Sequence, residues 1–264
     1  MLFAVLNARR EVSPIRWTSI PAPCKLPPRG LAMFHNYHYA YFVGTVIFWI
    51  AWAACFLAGK SYRREIRWGT LLACPTALTS PLFVPSYWNP ESLFNLDHRI
   101  RVGIEDFLWA AAVGGIAAVI GEILLEGNLA TVRSRRRHRH YWPFAVIAVI
   151  FALLEHFHWH PVMDNVVIAA AVGVLLFALL RPDLIPLMVL STASFLVLYL
   201  FLYVAVLFLY PDFVVNFYNR SALSGIEVLH VPIEELLFAG AFGSIWSVGY
   251  EYAYGFRLES AGVI

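Results

Sequence analysis

The sequence predicts an all-α, polytopic membrane protein with about seven transmembrane helices, built from a duplicated three-helix repeat and a connecting helix. Three observations lead there. Hydrophobic residues make up 60% of the 264-residue chain and charged residues only 14%, against about a quarter charged in soluble domains. Apolar runs of spanning length recur along the chain. A twenty-residue stretch also appears twice.

The runs are taken in order. The segment 37–59 has no charged residue. The segment 68–87 is also apolar, but Pro75, Pro81 and Pro85 predict kinks or a broken end. The third run, 104–125, has carboxylates at both ends. The fourth and fifth, 141–159 and 161–180, have the shortest uncharged cores, and a re-entrant hairpin is their alternative. The sixth covers 184–210, with Pro186 tolerable in its first turn. The seventh covers 231–250. Residues 1–32 hold five of the nineteen Lys/Arg and five prolines. They read as a basic, Pro-rich arm, disordered or lying on a surface, with Met1 or Met33 as the start. The remaining divisions are 33–130 for the first repeat, 131–160 for a basic loop and the connecting helix, and 161–264 for the second repeat and tail.

Basic residues set the expected sidedness. Lys60, Arg63, Arg64 and Arg67 follow the first run, and Arg133, Arg135, Arg136, Arg137 and Arg139 follow the third. Both loops fall on one side by parity, which is expected to be cytoplasmic. An integral protein of a prokaryotic plasma membrane is the expected setting. A basic run beside a membrane helix is a topology signal or an anionic-lipid contact. No nucleic-acid partner is expected. Cys24, Cys55 and Cys74 follow no pairing or metal-ligand spacing.

The repeat carries the functional signal. Residues 103–122 align without gaps on residues 232–251, at a constant offset of 129. Nine of the twenty positions are identical, among them Ile104/Ile233, Glu105/Glu234, Gly114/Gly243 and Glu122/Glu251. Apolar composition alone gives roughly three or four, so duplication is the economical reading. Three helices lie between the copies, so both run in the same direction, related by an axis near the membrane normal.

Each copy opens on an acid pair, Glu105-Asp106 and Glu234-Glu235. The plain alternative is a pair of acids favoured by the helix dipole. Carboxylates buried at a membrane helix are costly without a partner or water, and the apolar flanks twice over favour a site. Adjacent helix residues point about 100° apart, so one acid of each pair can face the bundle. Glu105 and Glu234, identical between copies, are the expected inward pair, supported by Asp106 and Glu235. Two carboxylates meeting in a poorly solvated site offer a proton donor beside an acceptor.

Pro232-Ile233-Glu234-Glu235 matches the Pro-x-Glu-Glu/Asp motif of the membrane lycopene cyclase domain family. These are flavin-independent carotenoid cyclases found as heterodimeric or fused proteins. The duplicated three-helix unit also resembles that family, over roughly residues 33–254. The first copy departs from the pattern with Gly103 in place of proline, and the aromatic-acid pair of the family's second helices is not evident. The resemblance implies a non-redox ring closure. An acid protonates the terminal double bond of a linear carotenoid, a nearby double bond attacks the cation, and a base removes a proton. It implies Glu105, Asp106, Glu234 and Glu235 as catalytic residues. Phe107, Trp109 and Phe238 are candidates for stabilising a cation over their rings. The partner is then a hydrophobic polyene within membrane lipid, with a homo- or hetero-oligomer possible. No cofactor and no metal ion is expected.

Glu155-His156-Phe157-His158-Trp159-His160 is the second unusual stretch. An interfacial belt, a metal site and a proton relay are its three readings, with His98, His230 and His158 the relay candidates. Glu122 and Glu251 lie 17 residues beyond the inward acids, about 25 Å along the helix. Snorkelling or loop contacts are expected of them. A retinal Schiff base is excluded, because Lys25 and Lys60 are the only lysines and neither lies in a helix core. Spaced aspartate pairs for a diphosphate-magnesium site are lacking. Two other classes stay open: a proton-coupled transporter or channel, and an inactive structural subunit of a carotenoid-synthesis complex.

Overall fold

The computed structural model describes residues 36–124, 129–133, 141–158 and 160–260, with backbone alone for 129–133 and 256–260. The expected arm over 1–32 and the basic run from Ser134 to Arg139 lie outside the described residues.

The first run forms α1, Ala40–Ala58, which ends where Gly59 N–H donates to the Cys55 carbonyl (2.8 Å). The second run is broken, as its prolines predict. It consists of α2, Arg63–Ala73, a 3-10 stretch, Cys74–Thr79, with Pro75 in its first turn, and α3, Ser80–Phe83. Proline removes a donor and clashes with the preceding turn, so a straight helix cannot continue. A short α4, Leu96–Ile100, precedes α5, Ile104–Leu124. Then come β1, Leu129–Arg133, α6, Trp142–Phe157, and α7, Val162–Leu180. The rest comprises α8, Ile185–Leu209, α9, Phe213–Phe217, β2, Glu227–Val228, β3, Val231–Pro232, α10, Ile233–Tyr254, and β4, Phe256–Ser260.

Among the described residues, four helical segments are long and apolar enough to cross a membrane: Tyr37–Ala58, Ile104–Leu124, Val162–Leu180 and Pro182–Leu209, with mean hydropathy of 2.0 to 2.4. The fifth expected run is therefore a full-length helix. α6, at 16 residues, spans about 24 Å, short of a bilayer core of about 30 Å. α10 is long enough, but Glu234, Glu235, Ser244, Ser247, Tyr250, Glu251, Tyr252 and Tyr254 lower its hydropathy. Its position explains that composition. α10 and α5 form the centre of the bundle and are the helices with the most buried residues.

Small residues let the neighbours close in. α5 packs on α1, α2, α8 and α10, and α10 packs on α7 and α8. Gly69 of α2 lies against the Gly114 carbonyl of α5, where a Cβ would fall 2.5 Å from that oxygen. α6 packs on α7 as a hairpin. The Asn165 amide closes it by donating to Glu155 Oε1 (2.6 Å) and the His160 carbonyl (3.2 Å). The strands following the two central helices pair antiparallel, Leu129 opposite Ser260 and Arg133 opposite Phe256. Arg133, expected in a basic loop, is thus the last residue of a short strand.

Candidate active site

The two acid pairs occupy the first turns of α5 and α10, where backbone N–H groups favour negative charge. All four acids are buried, but their surroundings divide them. Glu105 Oε1 accepts from Leu93 N–H (2.7 Å), and Glu234 Oε1 accepts from Ser224 N–H (2.6 Å). Each therefore holds the loop that leads into its own helix. Asp106 and Glu235 turn the other way and line a cavity of about 490 Å³, within the range of about 300–1,000 Å³ for ligand pockets. The inward pair is thus Asp106 and Glu235, not Glu105 and Glu234. Glu105 and Glu234, the pair identical between the copies, each accept from the loop before their helix.

Each inward acid sits in a cradle of three donors. Asp106 accepts from Tyr41 OH (2.6 Å), Ser80 Oγ (2.8 Å) and Gly103 N–H (2.8 Å). Glu235 accepts from Tyr87 OH (3.0 Å), Tyr199 OH (2.7 Å) and Tyr218 OH (3.0 Å), and Tyr203 OH donates in turn to Tyr218 (2.8 Å). Such hydrogen bonds offset part of the cost of burying a carboxylate. Burial, followed by the nearby Glu235 charge, holds the Tyr218 phenol well above its ordinary range, so it remains a donor. The glycine departure in the first motif has a use here. Gly103 supplies the third donor to Asp106, a backbone N–H that proline in that position lacks.

Local structure places the tyrosines. A bridge between Trp88 and Tyr218 joins the segment after α3 to the segment after α9. Asn89 N–H donates to the Phe217 carbonyl (2.7 Å) and Asn219 N–H to the Tyr87 carbonyl (2.8 Å). Tyr87 and Tyr218 thereby reach one carboxylate from opposite parts of the chain. Such long-range pairing leaves no trace in sequence spacing. Tyr41 and Tyr199 were legible only as aromatic residues within apolar runs.

Aromatic rings make up much of the remaining wall. Trp109 and Phe238 line the cavity and stack on one another, with centroids 6.0 Å apart and planes at 25°. Phe238, Phe242 and Trp246 continue along one face of α10 at four-residue spacing, with centroid separations of 5.3 and 4.3 Å. Phe107 is not among the lining residues. The relay candidates also lie away from the cavity. His98 and His158 are exposed, and His230 is exposed with Nδ1 3.6 Å from Glu227 Oε2. His156 and His160 are exposed as well.

The first acid pair has a further neighbour that spacing did not single out. Asp97 of α4 is buried, and burial pushes its carboxyl up to about 6, with Asp106 and Glu105 adding to the rise and Ser92 opposing it.

Residues 161–253 match the family model for lycopene cyclase. Over this segment the chain is similar to the lycopene cyclase family. The match is narrower than the resemblance expected from the motif. It covers α7 to α10, and so includes Tyr199, Tyr203, Tyr218, Glu234 and Glu235. Comparison with curated proteins and with solved structures gives no match. The matched segment supplies Glu235 and the aromatic face of α10, while Asp106, Tyr41, Ser80 and Tyr87 come from the chain before it. The match supports a carotenoid cyclase role in general, and the four apolar helices among the described residues suit a membrane setting by length and composition.

Proposed function

We propose that this chain closes a six-membered ring at the end of a linear, lycopene-type carotenoid by acid-base chemistry without net redox change. The observation that carries this reading is the pair Asp106 and Glu235, both buried on one aromatic-lined cavity. One carboxyl gives a proton to the terminal double bond, and the electron pair of that bond forms the new C–H bond. The adjacent carbon becomes cationic and is attacked by a nearby double bond, which closes the ring. A carboxylate then takes a proton from the ring cation and leaves a ring double bond. Atoms and charge balance without an oxidant or reductant. Trp109, Phe238 and Phe242 offer ring faces to the cation. Excluding water from an apolar wall protects the cation from capture as an alcohol.

Proton-coupled transport is the alternative, and it requires polar groups along a path. The acids at the two ends of α5 and α10 are instead separated by about 25 Å of helix rich in alanine and glycine.

The test is expression of the full chain in a lycopene-accumulating bacterium, followed by chromatography of the pigments. Cyclised product is expected. Asp106→Asn and Glu235→Gln are each expected to lower product formation by roughly 100-fold or more while the protein still accumulates in the membrane. Repeated absence of modified pigment from expressed protein would overturn the assignment. Full activity in Glu235→Gln would overturn the residue roles.

A further inference from the structure

The ends of α5 and α10 away from the cavity hold a second carboxylate cluster. Glu122 and Glu251 do not snorkel as expected. They turn inward and meet Glu65 of α2, with one oxygen of each lying within 4.8 Å of the others. Glu65, Glu122 and Glu251 are only 5%, 5% and 1% exposed. Glu65 Oε1, both Glu122 oxygens and Glu251 Oε2 accept from no N–H or hydroxyl donor, and Glu65 and Glu122 lie within hydrogen-bond reach of one another. The contrast with Asp106 and Glu235 is direct, since each of those has three donors. The Arg181 guanidinium reaches the backbone oxygen of Glu251 (3.5 Å) and is engaged by the Asp183 carboxylate (2.8 and 2.7 Å).

Ser191 is a separate pointer to the same place. Gly69 of α2 lies against Gly114, and Phe195 of α8 lies against Gly243, the residue 129 positions beyond Gly114. The offset from Gly69 to Phe195 is 126, and the same step carries Glu65 to Ser191. Ser191 Oγ packs against Gly121, the neighbour of Glu122, where there is no room for a Cβ. Ser191 is 1% exposed, and its hydroxyl also has no hydrogen-bond partner.

We propose that Glu65, Glu122 and Glu251 hold a divalent cation, beside the buried hydroxyl of Ser191. Three converging carboxylates repel when ionised, and burial deprives them of water. A cation at their centre satisfies the unpartnered oxygens together. An all-oxygen set suits a hard ion such as Mg²⁺, Mn²⁺ or Ca²⁺ rather than a thiolate-seeking metal. The ion ties α2 to both central helices about 25 Å from the reacting acids, so it acts on the assembly of the bundle and not on the ring closure. The site stands whether or not the cavity acts on a polyene.

The experiment uses the full chain, purified in detergent and stripped with chelator, with Mn²⁺ as the probe. Electron paramagnetic resonance titration is expected to show one saturable site per chain, displaced by Mg²⁺ or Ca²⁺, with a rise in Tm on binding. Glu65→Gln, Glu122→Gln and Glu251→Gln are each expected to weaken Mn²⁺ by roughly tenfold or more through loss of a charged ligand. They are also expected to remove the cation-dependent rise in Tm. Absence of saturable Mn²⁺ binding by folded wild-type chain would overturn the site and leave protons as the neutralising species. Unaltered binding in the variants would place the ion elsewhere and overturn it equally. The wild-type titration and competition need no variant, so misfolding of one substitution does not remove the test.

Discussion

Gly103 shows how one residue joins backbone chemistry to the site. Its N–H donates to Asp106 (2.8 Å), and a hydrogen bond to a charged group contributes about 1.5–3 kcal/mol. Gly103→Pro restores the motif of the second copy and suits a helix start, yet it deletes that donor. The expected outcome is a fall in product formation of about tenfold or more, measured by pigment chromatography at equal expression. Gly103→Ala keeps the N–H. Its Cβ meets the carboxylate tips of Glu105 and Asp97 at 2.9 and 3.0 Å, and those flexible ends can yield. A smaller loss is therefore expected from alanine, and equal losses from both substitutions would refute the N–H argument. The acid pairs were readable from the sequence as pairs. Which member faces the cavity was not, because that depends on the helix rotation set by packing and on the loop that each outward acid holds.

At the scale of elements, α2 and α5 meet through glycine. A side chain at position 69 must displace the Gly114 carbonyl, a backbone atom that cannot swing aside. Gly69→Val is expected to destabilise the bundle by about 1–3 kcal/mol, read as a lower Tm in detergent. An unchanged Tm would mean that the helices separate at little cost. α4 carries a pH-dependent element. The folded state raises the Asp97 carboxyl from 3.8 to about 6, so ionising it disfavours the folded chain. That penalty is absent below about pH 4, grows as pH rises toward about 6, and is complete above it. Asp97→Asn should therefore match wild type in Tm at pH 4, exceed it by a margin that widens up to about pH 6, and hold that margin above it. A margin that is constant with pH would show that Asp97 is not the group responsible. Helix breaks at Pro75 and Pro81 were legible because proline acts locally. The shortness of α6 was legible as well, in its limited uncharged core.

For the molecule as a whole, the two ends of the central helices have different characters. One end presents two carboxylates, each held by three donors, to an aromatic cavity. The other gathers three carboxylates with unpartnered oxygens. Small residues on α5, from Ala110 to Gly121, separate the two ends. Purified chain in liposomes is accordingly expected to pass protons no faster than empty liposomes under an imposed pH gradient. Flux that rises with protein content and falls in Glu122→Gln would favour the transport reading. Matching sequence at both helix starts and both helix ends is what allows one pair of helices to gather carboxylates at two places.

The sequence by itself determined the membrane class, the apolar runs, the breaks at proline, the recurrence of acids at equivalent positions and the family motif. These are local or periodic properties, carried by residue type and spacing. Only the tertiary structure decided that Asp106 and Glu235 face the cavity, and that tyrosines from four separate segments serve them. It also decided that Glu65, far from Glu122 and Glu251 in the chain, meets them in the interior. The physical reason is that a buried carboxylate needs partners, and in a helical bundle those partners come from whichever helices pack beside it.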